Sequence, residues 1–106
     1  MTKVAMVAKM TAAEGRRDEL VSAFGRLFDA VAAEQGTEVY ALHLDAGDPT
    51  VVWFYELYTD MDGLTAHGTS EAMKAIGPEL SSLMAGRPEL TFLTPVRAKG
   101  LTFDGG

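Results

Sequence analysis

Residues 3–10 alternate in polarity. Val4, Met6, Ala8 and Met10 fall on one side and Lys3, Ala5, Val7 and Lys9 on the other, the period-two pattern of a strand. From 14 to 34 the period becomes helical: Leu20, Phe24, Leu27, Phe28 and Val31 make one stripe, with Arg16, Arg17, Glu19, Arg26 and Asp29 largely off it. Gly25 weakens that helix by about 1 kcal/mol relative to Ala, or permits close packing, and Gly36 supplies a stop. A second strand, 38–45, places Tyr40, Leu42 and Leu44 opposite Val39, Ala41, His43 and Asp45. The run Asp45-Ala-Gly-Asp-Pro-Thr is turn chemistry, with Asp capping its own backbone. It predicts an antiparallel return into a third strand, 51–58.

That third strand is apolar on both faces: Val51, Trp53, Tyr55 and Leu57 on one, Val52, Phe54, Glu56 and Tyr58 on the other. Thr59 or Asp60 then caps a short helix carrying Leu64 and His67, and Thr59 with Asp62 resembles a capping box. Thr69 or Ser70 caps a further segment with Met73 and Ile76 on its apolar edge. Gly77-Pro78 predicts a break, Pro78 opening a last turn with Leu80, Leu83 and Met84 that Gly86 ends. A fourth strand follows at 89–97, where Pro95 argues for an edge or a bend. Residues 1–98 read as one domain and 99–106 as a tail with Leu101 and Phe103.

The order β-α-β-β-α-β is the ferredoxin-like, α+β arrangement around an antiparallel sheet. Right-handed crossovers put both helical segments on one face, so the other face needs a cover for Trp53, Tyr55 and Leu57. Aromatic side chains bury 150–250 Å² each, more than a monomer ordinarily exposes. A homodimer packed sheet to sheet is expected, with the tail able to cross onto the partner.

Composition narrows the function classes. A net charge of −6 argues against nucleic acid and anionic membrane, which need a basic face. The absence of cysteine removes thiolate catalysis and thiolate metal sites. No apolar run approaches the roughly 20 residues of a membrane span, and no signal-like segment opens the chain, so a cytoplasmic protein is expected. Neither a G-x-G-x-x-G nor a Walker-type loop occurs. Two histidines, His43 and His67, are too few for a metal site unless carboxylates converge on them.

Phe54-Tyr55-Glu56-Leu57-Tyr58-Thr59-Asp60, then Leu64-Thr65-Ala66-His67 and Leu80-Ser81-Ser82-Leu83-Met84-Ala85-Gly86, preceded by Glu38-Val39-Tyr40-Ala41-Leu42-His43, resemble the antibiotic biosynthesis monooxygenase family, and more narrowly its quinol-monooxygenase-like members. The resemblance spans roughly residues 3–97. It implies a dimeric α/β barrel and an activity among those of the family, which includes cofactor-free oxygenases of anthrone or quinol-type aromatics, haem degraders and an isomerase of a phosphorylated sugar. The haem-degrading branch uses an asparagine on the first strand and a histidine well along the second helical region. Here Val7 stands near the first place, the chain has no asparagine, and 68–77 has no histidine, so no haem or other cofactor is expected.

His67 is the candidate catalytic residue, since an imidazole can take a proton from a phenol near neutrality; otherwise it packs the end of its helix. Tyr40, His43, Trp53, Tyr55 and Met73 are the candidate substrate-binding residues; Tyr40, Trp53, Tyr55 and Tyr58 would line a flat aromatic pocket, or else form core and interface. Met6, Met10, Met73 and Met84 also read as core filler. Glu56 is expected to pair with Arg87, Arg97 or Lys9, or to be a base raised by burial. The leading expectation is a cofactor-independent monooxygenase acting with O₂ on a small quinol or polycyclic phenol. An isomerase of a small hydroxy-ketone, with Arg87 and Lys74 for a phosphate, and a non-catalytic small-molecule-binding dimer are the alternatives.

Overall fold

The structure, a computed structural model, describes residues 2–103. Its elements run β1 (Val4–Thr11), α1 (Arg17–Val31), β2 (Thr37–Leu44), β3 (Val51–Tyr58), α2 (Met61–Gly68), α3 (Glu71–Leu83) and β4 (Glu89–Leu93). They form the expected α+β, ferredoxin-like fold, a four-stranded sheet in the order β2-β3-β1-β4. Every neighbouring pair is antiparallel. The alternation in the sequence becomes the two sheet faces. Ala8, Met10, Val52 and Phe54 point to the helices and pack with Leu20, Ala23, Phe24, Leu80 and Leu83 as the core. Phe54 anchors an aromatic cluster, 4.9 Å from Phe24 and 4.6 Å from Tyr40 between ring centroids.

On the helix-free face, Trp53 lies opposite His43 and Lys9, and Tyr55 opposite Ala41 and Val7. Trp53 and Tyr55 are half-buried there. The Trp53 indole N–H donates to Asp45 Oδ2 at 2.8 Å, so its polar edge serves the β2–β3 turn. The same carboxylate accepts the backbone N–H groups of Asp48 and Gly47. Those bonds, that of Asp48 foremost, hold its pKa at about 2. The tail returns to its own chain, where Lys3 Nζ donates to the Thr102 carbonyl at 2.7 Å. Residues 104–106 of the expected tail lie outside the described residues.

Several local expectations are corrected. Gly77-Pro78 does not break the chain: α3 runs through Pro78 to Leu83. Pro78 forfeits one hydrogen bond, but a preceding glycine has no Cβ for the proline ring to strike. Ile76, Leu80 and Leu83 then keep one stripe against the core. Asp60 alone caps α2, accepting from the Gly63 N–H at 2.9 Å, while the Thr59 hydroxyl donates to Glu38, so the capping box is absent. Ser70 caps α3. β4 ends at Leu93 instead of residue 97, ahead of Pro95. It is an exposed edge strand, with Leu90 and Phe92 more than half accessible.

Gly36 is not a helix stop, because α1 ends at Val31 with Ala32 as its C-cap. Its role is close packing. A Cβ on Gly36 would lie 2.7 Å from the Gly63 Cα, and one on Gly63 would lie 2.8 Å from the Gly36 carbonyl oxygen. The α1–β2 turn and the first turn of α2 therefore touch backbone to backbone. A Cβ on Gly25 meets nothing within 4 Å, so close packing does not explain that glycine. Gly36→Ala and Gly63→Ala are each expected to lower unfolding stability by about 1–3 kcal/mol, the usual penalty of overpacking. Gly25→Ala should gain up to about 1 kcal/mol. Urea denaturation checks all three.

Candidate active site

The helix-facing side of the sheet carries a cavity of about 330 Å³, open toward the edge strand β4. Met6, Met10, Phe24, Phe54, Met73 and Met84 contribute most of its apolar wall, and Leu90 and Phe92 of the edge strand border it on one side. Met6 and Met10 are buried, as expected of core filler, and with Met73 and Met84 they also line this cavity, whose irregular shape a flexible thioether can follow. One region of the wall is polar, formed by Tyr40, Glu56 and His67. A further hollow between α1 and α3 is lined mainly by charged side chains, including the pairs Arg16–Glu19 and Arg26–Glu79. Both arginines of the hollow are thus matched within the chain.

His67 is buried, 5% exposed, in the last turn of α2. Its two ring nitrogens face different carboxylates. Nδ1 lies 2.8 Å from Glu34 Oε1, a hydrogen-bond distance, and Nε2 lies 3.9 Å from Glu56 Oε1. Glu34 stands in the turn after α1 and also accepts from the Thr37 hydroxyl at 2.8 Å. An ionised Glu34 accepts from Nδ1–H, and that tautomer leaves the Nε2 lone pair free. The contact between Gly36 and Gly63 sets α2 against this turn and so brings His67 to Glu34. Tyr40 and Tyr58 flank the imidazole, with centroids 5.1 and 5.7 Å away.

Glu56 is 4% exposed and pairs with none of the bases expected for it. It sits on the helix-facing side of the sheet, whereas Lys9 belongs to the other face, over the Trp53 ring. The Tyr58 hydroxyl donates to Glu56 Oε1. Burial raises the Glu56 pKa above the ordinary carboxylate value; the Tyr58 bond and His67 oppose the shift, and Glu34 adds to it. Burial, with the hydrogen bond to Glu56, raises Tyr58 strongly, and burial with the nearby carboxylates raises Tyr40, so both phenols stay protonated.

Of the residues expected at the site, His67, Tyr40 and Met73 meet at this cavity. His43, Trp53 and Tyr55 do not. All three occupy odd positions of β2 and β3, and strand alternation turns them to the helix-free face. His43 is exposed there. Glu34 was missed, although a carboxylate just beyond a helix C-terminus opposes the helix dipole and is for that reason a signal. Tyr58 was read as core or pocket wall, without its role as the partner of Glu56.

The family model for antibiotic biosynthesis monooxygenases matches residues 3–78. The chain belongs to the antibiotic biosynthesis monooxygenase family. Among solved structures, a Caulobacter crescentus protein named as a candidate antibiotic biosynthesis monooxygenase is 31% identical, with a TM-score of 0.86, and the match covers 91% of this chain and 92% of that one. A Pseudomonas aeruginosa protein at 24% identity has a TM-score of 0.83 over 92% and 97% of the two chains. A Nitrosomonas europaea protein of unknown function, 20% identical, also reaches 0.83, over 96% and 97%. The last two show the shared fold alone. No curated protein matches the sequence. For this family member, a monooxygenase-like small-molecule-binding fold agrees with the apolar cavity. Among the described residues no helix is long and apolar enough to cross a membrane, and no three His, Cys, Asp or Glu side chains group as a metal site requires.

Burial of Glu56 has a stability consequence of definite sign. A carboxyl whose folded pKa is raised stabilises the fold fully below its unfolded value, about 4.3, and this contribution is lost as pH rises through the folded value. Glu56→Gln keeps an acceptor for Tyr58 and abolishes the titration. The melting temperature of the variant relative to wild type should therefore climb from pH 4.5 upward and level off once the wild-type carboxyl is ionised. Thermal melts across pH 4–8 test this; a difference independent of pH would refute it.

Proposed function

We propose that the protein is a cofactor-independent monooxygenase of a small neutral quinol or polycyclic phenol. The observation that carries this reading is a buried histidine at the wall of an apolar cavity, with a carboxylate on Nδ1 and Nε2 free. Glu34 orients the ring and compensates the charge of the imidazolium. His67 Nε2 takes the phenolic proton, which makes the ring electron-rich enough to reduce O₂. One oxygen atom enters the ring and the other leaves as water, with the substrate supplying all the electrons. The methionine and phenylalanine walls suit a flat aromatic body.

The isomerase reading fits less well. A phosphorylated hydroxy-ketone needs a cation, and no lysine or arginine lines the cavity. Lys74 and Arg87 are exposed and outside it. Oxygen uptake over a panel of reduced quinones and polycyclic phenols tests the proposal. His67→Ala should lower uptake by about 10²-fold or more, the usual contribution of a positioned base, while the exposed Lys74→Ala leaves it unchanged. No uptake with any substrate, or uptake indifferent to His67, overturns the reading. Turnover without oxygen would favour the isomerase.

The working unit is proposed to be a homodimer. Val7, Val39, Trp53 and Tyr55 are only partly covered on the helix-free face of one chain, and the edge strand carries exposed Leu90, Phe92 and Leu93. Sedimentation at micromolar concentration should give a dimer mass, and a monomer there removes this part of the proposal.

A further inference from the structure

The separation between His67 Nε2 and Glu56 Oε1 is too long for a hydrogen bond and short enough to be spanned by one atom. At 3.9 Å, an oxygen placed about 2.8 Å from each reaches both with ordinary hydrogen-bond lengths. Both residues line the cavity, and the ring of Tyr40 stands beside the imidazole. The remaining polar neighbours are already engaged: Tyr58 donates to Glu56, and Glu34 holds Nδ1 and Thr37. Nothing else lining the cavity carries a side-chain charge.

We propose that the gap between His67 Nε2 and Glu56 Oε1 is the seat of the substrate's reacting oxygen, a neutral hydroxyl held between a base and an acid. This rests on the reading of His67 as the base. The hydroxyl donates to Nε2 and accepts from the Glu56 carboxyl, which is protonated and itself accepts from Tyr58. When the proton moves from oxygen to Nε2, the bonding electrons stay on the oxygen, and the resulting phenolate accepts hydrogen bonds from Nε2–H and from Glu56. Both contacts strengthen as the negative charge forms, which is the requirement for accelerating the step. Glu34 carries the compensating charge on the far side of the imidazole. The titratable groups that line the cavity at this oxygen are Tyr40 from β2, Glu56 from β3 and His67 from α2, with Glu34 from the α1–β2 turn behind the imidazole and Tyr58 from β3 behind Glu56. Burial and Glu34 together favour the protonated form of Glu56.

The seat distinguishes a hydroxyl from its methyl ether, which cannot donate to Nε2 and brings a methyl group into the gap. Titration calorimetry of the full chain with 2-naphthol and with 2-methoxynaphthalene reads that difference without any oxygen chemistry. The wild type should bind naphthol at least about tenfold more tightly. His67→Phe and Glu56→Leu should bring the ratio near one. Glu56→Gln should give an intermediate ratio, since Tyr58 and the gap share Oε1 and an amide presents there either its oxygen to Tyr58 or its N–H to the hydroxyl, not both. Equal affinities in the wild type, failure of both ligands to bind, or a ratio unmoved by His67→Phe each overturn the proposal. If Glu56→Leu does not fold, the wild-type comparison and Glu56→Gln decide. A preserved ratio with no oxygen uptake on any phenol would refute the monooxygenase reading and leave the seat standing.

Discussion

A histidine and two carboxylates share one largely buried pocket, and each is tolerable there because of the others. Removing an ionised carboxylate from water without a partner is strongly unfavourable. Glu34 meets this with the His67 N–H and the Thr37 hydroxyl. Glu56, deeper and without a cation, meets it by holding its proton more tightly and by accepting from Tyr58. A carboxylate, a neutral imidazole and a carboxylic acid carry the same total charge as two carboxylates and an imidazolium. The proton can therefore sit on either side of the gap without changing the net charge buried in the protein. That degeneracy is what the proposed proton transfer would draw on.

The cluster in turn depends on a contact with no polar chemistry in it. Gly36 and Gly63 bring two backbone segments so near that a methyl group on either would collide with the other. The Thr59 N–H donates to the Gly36 carbonyl at 2.9 Å and fixes the same corner from the strand side. α2 is thereby held against the turn that carries Glu34. The effect on His67 is geometric, because it stands one turn along from Gly63 on the same helix, and a helix transmits a shift at its first turn to its second.

Much of the fold was legible in the sequence because the apolar pattern switches period cleanly between strand and helix, and because Asp45, Asp60 and Ser70 are turn and cap residues with a local mechanism. Pro78 misled because a helix can absorb a proline when a glycine precedes it and the flanking stripe is well packed. The site was legible only in part. Alternation along β2 and β3 separates Tyr40 from His43 and Glu56 from Trp53 and Tyr55, and the two sets had been assigned on opposite faces from the residue pattern alone. Which face holds the cavity depends on where the helices lie, and aromatic character favoured the wrong one. Glu34 meets His67 through a contact between residues 33 positions apart, and no local periodicity marks such a pair.

The walls of the cavity bear on its chemistry as much as its polar end does. An apolar lining strengthens the hydrogen bonds at the His67 end, which is where the proposed phenolate would form. The lining also holds no cation, so a substrate that enters charged loses hydration without compensation, whereas in the proposed reaction a neutral phenol loses little and acquires its charge only after docking. The proposed substrate class rests on two independent features, the lining and the spacing. A lining without a cation disfavours phosphates and carboxylates, and the spacing between Nε2 and Oε1 has room for one oxygen that can donate and accept at once. A hydroxyl on a flat apolar ring satisfies both.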